Sequence, residues 1–183
     1  MEADDFTYLE LLNLLPPVTR FTLRELELDE IITNAQLRHD MVFDPDLQFR
    51  PNTETDDDQD RDSKTSLYWD EVESEVKQGQ LYRIPLLLSE IKAIIIELVP
   101  NGLEIKPEIE AHIDVKLITQ EIQHKVFNPM GLIEYISGIM KTNCAPIRDV
   151  LVDAMVVACS EGKFVDSIRK CFDILEHMKL VGR

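Results

Sequence analysis

The chain has 183 residues, 44% of them hydrophobic, which is enough to close a domain-sized core. Its 35 Asp and Glu against 19 Lys and Arg give a formal net charge of −16, with no basic block anywhere. Such a surface repels nucleic-acid phosphates and anionic lipid, so neither is an expected partner; a protein, most simply a basic one, is.

Helical periodicity governs the chain from its start. Residues 4–15 carry Phe6, Leu9 and Leu12 at helical spacing, and Pro16-Pro17 stops them. A second helix, 22–39, opens with Thr22-x-x-Glu25, a capping-box pattern, and shows Leu28, Ile31, Ile32 and Ala35 on one face. Together residues 1–43 form an N-terminal helical segment. Residues 44–66 break the pattern. Pro45, Pro51 and the carboxylate run from Glu54 to Asp62 leave little apolar surface to offset ordering entropy, so this segment is expected to be a flexible acidic loop.

Six helices are expected in the core, residues 67–183. The first, 67–78, carries Trp69, Val72 and Val76 and ends at a Gly79 cap. The second, 84–99, is the most apolar run, with Pro85 in its first turn and Pro100-Asn101-Gly102 at its end. It is too short to cross a bilayer and contains Glu90, Lys92 and Glu97, so it reads as a core helix. The third, about 107–127, shows Ile109, Ile113, Leu117 and Ile118 at helical spacing. The fourth begins at Asn128-Pro129 and carries Leu132, Ile133, Ile136, Ile139 and Met140. The fifth begins near Pro146, with Val150, Leu151, Ala154 and Val157 as its apolar positions, and stops at Gly162. The last, 164–179, carries Ile168, Cys171, Phe172, Leu175 and Met178. The expected fold is all-α: an irregular bundle of about eight helices with short connections, and so with neighbours roughly antiparallel.

Catalytic and metal chemistry find little support. A calcium loop starting at Asp56 has Arg61 where Gly is needed and Leu67 where Glu is needed; one starting at Asp60 has Lys64 at a ligand position. Glu121-x-x-His124 is half of a di-iron pattern whose second half is absent, and Glu108 with His112 is ordinary helix spacing. Cys171 and His177 lie six residues apart, which aligns them poorly for nucleophilic catalysis. There is no Gly-rich phosphate loop. No enzyme activity, metal or cofactor is expected. The three cysteines, Cys144, Cys159 and Cys171, are odd in number and sit in apolar helical patterns. That favours free thiols in a reducing compartment, the cytoplasm or also the nucleus. No signal peptide is read at the N-terminus.

The segment Asn143-Cys144-Ala145-Pro146-Ile147-Arg148-Asp149 is the candidate functional motif. Asn143 is suited to cap the next helix, Pro146 to occupy its first turn, and Asp149 to oppose the helix dipole. Arg148 is a cation at the positive end of a helix and needs a carboxylate. That carboxylate belongs either to another helix, making Arg148 structural, or to a bound protein, making it a docking residue.

Cys144-Ala145-Pro146-x-Arg148-Asp149, followed by Leu175-Glu176-x-Met178-Lys179-Leu180, resembles the signature of the T-complex protein 11 family. Trp69-Asp70, residues 86–99, Ile113-Asp114 and Leu117-Ile118 also fit that family, so the resemblance spans about 67–180. The N-terminus and acidic segment resemble its fungal branch. The resemblance implies a helical regulatory or adaptor domain without enzymatic chemistry, associated with cyclic-AMP and protein-kinase-A signalling. The family pattern continues past Met178-Lys179-Leu180, so the chain reads as the N-terminal part of the domain. Apolar surface left uncovered on its last helix would then promote self-association. No cyclic-nucleotide phosphate cassette is present, and Arg169-Lys170-Cys171 is the nearest approach to a kinase pseudosubstrate. Any role in that pathway therefore runs through protein–protein contact. The alternative is a helical module that holds a small anionic or apolar ligand between its helices.

Overall fold

The computed structural model describes residues 14–19, 33, 35, 58–99, 102–143 and 146–181. Most of the two expected N-terminal helices, residues 44–57 of the acidic segment, and Cys144 and Ala145 lie outside the described residues.

Among the described residues the chain is all-α, with seven helices, one 3-10 turn and no strand. In chain order they are α1 (Asp58–Lys77), α2 (Ile84–Leu98), α3 (Gly102–His112), α4 (Val115–Gln123), α5 (Pro129–Asn143), the 3-10 turn (Pro146–Arg148), α6 (Asp149–Ser160) and α7 (Phe164–Val181). α2 is the centre of one half. It buries Ile84, Leu87, Leu88, Ile91, Ile94 and Ile95, which recur every three or four residues, and packs on α3, α4 and α7. α6 lies between α5 and α7 in the other half, and α7 joins the halves by also touching α1 and α2. Phe172 of α7 meets Trp69 of α1 with ring centroids 5.8 Å apart. Each fully buried Leu, Ile or Phe contributes roughly 1.5–3 kcal/mol, so this seam is a main source of stability. Val18 of the N-terminal segment joins the same core, and the Tyr68 hydroxyl donates to the Leu14 carbonyl at 3.0 Å.

The described helices depart from the expected ones in four places. First, α1 begins at Asp58, so residues 58–66 of the expected acidic loop are helical. Carboxylates at the start of a helix are favoured by its dipole, which offsets their low helix propensity. Second, the expected helix 107–127 is two helices. The first starts earlier, at Gly102, with Pro107 inside it. The second is capped by Asp114, whose Oδ1 accepts from the backbone N–H of Lys116 at 2.9 Å and of Leu117 at 3.1 Å. Lys92 of α2 caps the preceding end by donating to the Ile113 carbonyl at 3.3 Å.

Third, α6 turns the opposite way. Val152, Met155, Ala158 and Cys159 are buried, whereas Val150, Leu151, Ala154 and Val157, the expected core positions, are exposed. Both sets have helical spacing, and only packing against α5 and α7 selects between them. Fourth, α7 covers its own apolar face: Val165, Ile168, Cys171, Phe172, Leu175 and Met178 are all buried. The uncovered apolar surface expected on the last helix lies on α6 instead.

Three helices end in the same way. In each, two amides close on the last turn: Gly79 to Val76 and Gln80 to Glu75 after α1, Lys125 to Ile122 and Val126 to Glu121 after α4, Gly162 to Cys159 and Lys163 to Ala158 after α6. This cap needs a left-handed residue. Glycine supplies it at φ +80° and +79°, but Lys125 does so at φ +58°.

Candidate functional site

The described part of the candidate motif forms the corner between α5 and α6. Asn143 does not cap α6. Its amide nitrogen instead donates back to the Ile139 carbonyl of α5 at 2.8 Å. Pro146 lies in the 3-10 turn, one step before the expected first turn, and is exposed. Arg148 takes the N-cap position of α6 with helical backbone angles and no side-chain cap. Asp149 begins α6, where its charge opposes the positive helix end. Its Oδ1 is buried without a hydrogen-bond partner among the described residues. The side chain of Arg148 is half-buried, and among the described residues no carboxylate lies within 4.0 Å of it. The carboxylate expected from another helix is therefore not found there.

The outward face of α6 is apolar. Val150 is 74% exposed, Val157 52% and Leu151 46%, and Ala154 is exposed between them. Residues 150, 154 and 157 recur at four and three positions, so at about 100° per residue they form one apolar stripe along the helix. Glu161 closes its far end as the C-cap. The rim is polar but compensated: Lys141 of α5 pairs with Asp153, and Lys163 pairs with Glu161 at 2.7 Å. Isolated exposed apolar side chains are ordinary, but an aligned row on one helix is the usual form of a helix-docking surface.

A second polar cluster lies at the α1–α2 connection. Arg83, buried at the start of α2, reaches Glu75 at 2.9 Å and Glu71 at 3.2 Å, and its guanidinium lies 5.4 Å from the Tyr68 ring centroid. Tyr82 donates to the same Glu75 carboxylate at 2.6 Å. This cluster fastens the α1–α2 connection. Burial pushes the Tyr68 hydroxyl up to about 12, against a partial lowering by Arg83. His112 stacks on Tyr135 with centroids 4.0 Å apart and their planes nearly parallel.

The residues considered for chemistry are not brought together as a site. Cys171 is fully buried and its thiol is pushed up by desolvation, while His177 is exposed and faces the Asp173 carbonyl of its own helix at 2.6 Å. His124 is the exposed C-cap of α4, and among the described residues no three His, Cys, Asp or Glu side chains group as metal ligands. No described helix is long and apolar enough to cross a membrane.

Among the described residues the fold is all-α, and its α6 presents an apolar face to solvent. Residues 37–180 match the model of the T-complex protein 11 family, and the chain belongs to that family. It is 31% identical over 181 residues to Protein SOK1 of Saccharomyces cerevisiae, an alignment covering 90% of this chain and 20% of that protein. It is 33% identical over 95 residues to the human T-complex protein 11 homolog, covering 51% of this chain and 18% of that protein. It is also 30% identical over 128 residues to mouse T-complex protein 11, covering 66% and 21%. The chain thus spans about a fifth of the length of these relatives. No solved structure matches it.

Proposed function

We propose that this chain is a non-enzymatic regulatory or adaptor domain that works in the cytoplasm or nucleus by protein–protein contact. Its docking surface is the α5–α6 corner and the outward face of α6. The observation that carries this reading is the row Val150, Ala154 and Val157 facing solvent on α6, a helix that starts at Arg148, a half-buried cation without a carboxylate among the described residues. Apolar anchors at the centre of a patch, with Arg among the enriched residue types, are what a protein interface uses. Membership of the T-complex protein 11 family supports a place in cyclic-AMP and protein-kinase-A signalling, reached through contact rather than nucleotide binding.

The test uses the purified regulatory and catalytic subunits of protein kinase A as probes. At least one should bind the intact chain. Arg148→Ala should weaken that binding about tenfold or more, which is ~1.4 kcal/mol. It should change the unfolding free energy by no more than ~0.5 kcal/mol, because no ion pair among the described residues is broken. Binding of neither subunit would sink the kinase link. A loss of ~3–5 kcal/mol of stability would make Arg148 a buried structural residue instead.

A further inference from the structure

We propose that residues 14–19, Leu-Leu-Pro-Pro-Val-Thr, are a tethered ligand: they cover an aromatic site on α1, at Tyr68 and Trp69, that also takes a proline-containing apolar segment of a protein partner. This site lies on α1, not on the α6 face.

The segment is unlike the helices it packs on. Residues 15–19 are non-helical, yet Pro16, Val18 and Thr19 are buried. Buried non-helical backbone carries polar groups that no helix ladder satisfies. Pro16 and Pro17 have no N–H, so two donors that would need partners are absent there. The Leu14 carbonyl finds its partner on a side chain, the Tyr68 hydroxyl, 3.0 Å away in space and 54 residues along the chain. Burial keeps that hydroxyl protonated up to about 12, so it remains a donor. Beside it the Trp69 ring meets the Tyr68 ring edge-on, with centroids 5.3 Å apart. Val18 enters the same core cluster as Trp69. Aromatic rings, a donor aimed at a backbone carbonyl, and prolines that arrive with φ already fixed are the means by which proteins recognise proline-containing peptides.

The helices hold together through contacts that do not involve the segment. Trp69 meets Phe172 across the α1–α7 seam at 5.8 Å, and Arg83 with Glu75 and Glu71 fastens α1 to α2. Lifting residues 14–19 away therefore uncovers Tyr68 and Trp69 without separating α1 from its neighbours. A segment joined to its site through the chain meets it at up to about millimolar effective concentration. The chain's own segment thus sets the threshold that a partner's segment must exceed to take the site.

Trp69 is the single tryptophan of the chain, so its fluorescence reports on the site. The probe is the free peptide of residues 13–20, added to the full chain and to its Val18→Asp variant, in which an unpaired carboxylate cannot stay buried. Val18→Asp should keep the far-ultraviolet circular dichroism of the parent and shift the Trp69 emission to the red. The peptide should bind this variant at least about tenfold more tightly than the intact chain and should return the emission to the blue. A peptide carrying Pro16→Ala with Pro17→Ala, which brings back two amide donors, should bind at least about fivefold more weakly. Tyr68→Phe in the Val18→Asp chain should weaken binding about two- to tenfold. Loss of the helical signal in Val18→Asp would make residues 14–19 an integral part of the fold and overturn the proposal. Unchanged Trp69 emission in the variant, no binding of the peptide to it, equal affinity for the variant and the intact chain, equal binding of the two peptides, or indifference to Tyr68→Phe would each overturn it as well.

Discussion

Single residues in this bundle act through the company burial gives them. Tyr68 shows it most directly. Its hydroxyl ordinarily ionises at 10.0 and in the folded chain only at about 12, because burial disfavours the phenolate more than Arg83 favours it. The sign follows from linkage. Between those two values the unfolded chain has released the proton and the folded chain has not, so unfolding gains as pH rises. The stabilising contribution is complete below pH 10 and lost as pH climbs through about 12. Urea midpoints from about pH 8 upward should fall across that window, and Tyr68→Phe should flatten the fall. A variant with the same alkaline slope as the parent would show that Tyr68 is not the group responsible. Its neighbour Arg83 illustrates the same dependence: among the described residues Nε and Nη1 are buried without hydrogen bonds, and the Glu75 and Glu71 carboxylates at Nη2 compensate the charge.

At the scale of elements, the helix ends decide where the chain turns. The same cap closes α1, α4 and α6, and only after α4 is its left-handed residue not glycine. A side chain in that conformation costs ~1–2 kcal/mol, and replacing it with glycine adds back ~0.5–1 kcal/mol of unfolded-state entropy. Lys125→Gly should therefore stabilise the chain by about 0.5–1 kcal/mol and raise the melting temperature by roughly 1–4 °C. Thermal unfolding beside a Lys125→Ala control, which keeps the Cβ and so gains nothing, checks it. Equal melting temperatures for the two variants would mean that the turn after α4 relaxes out of the left-handed region. The break before α4 belongs to the same scale. Without a Gly or Pro to mark it, Asp114 reads in sequence as one more polar position of a continuous helix.

For the whole molecule the decisive element is α7, which binds α6 on one side and α1 and α2 on the other. Cys171 sits on that helix, fully buried, with its thiol pushed well up by desolvation. A buried neutral thiol is inert, so it reports on the opening of the fold. Alkylation of Cys171, followed by peptide mass mapping in rising denaturant, should keep step with global unfolding. Modification at denaturant levels where the far-ultraviolet circular dichroism is still native would mean that the α6–α7 pair opens on its own.

The amino-acid order by itself determined the helical class, the apolar faces of α1, α2, α5 and α7, the glycine caps at Gly79 and Gly162, and the family motif at Arg148 and Asp149. These are local properties: spacing, capping chemistry and composition act within a few residues, and no distant contact is needed to express them. The orientation of α6 is different. It is apolar almost all round, so Val152, Met155 and Cys159 compete on equal terms with Val150, Ala154 and Val157 for the core. Only the position of α5 and α7 chooses the first set and leaves the second to solvent. The absence of a described carboxylate beside Arg148 is likewise a matter of which helices meet at that corner. Periodicity shows that a helix has a face; it cannot show which of two apolar faces the rest of the molecule will cover, because that depends on contacts between residues far apart in the chain.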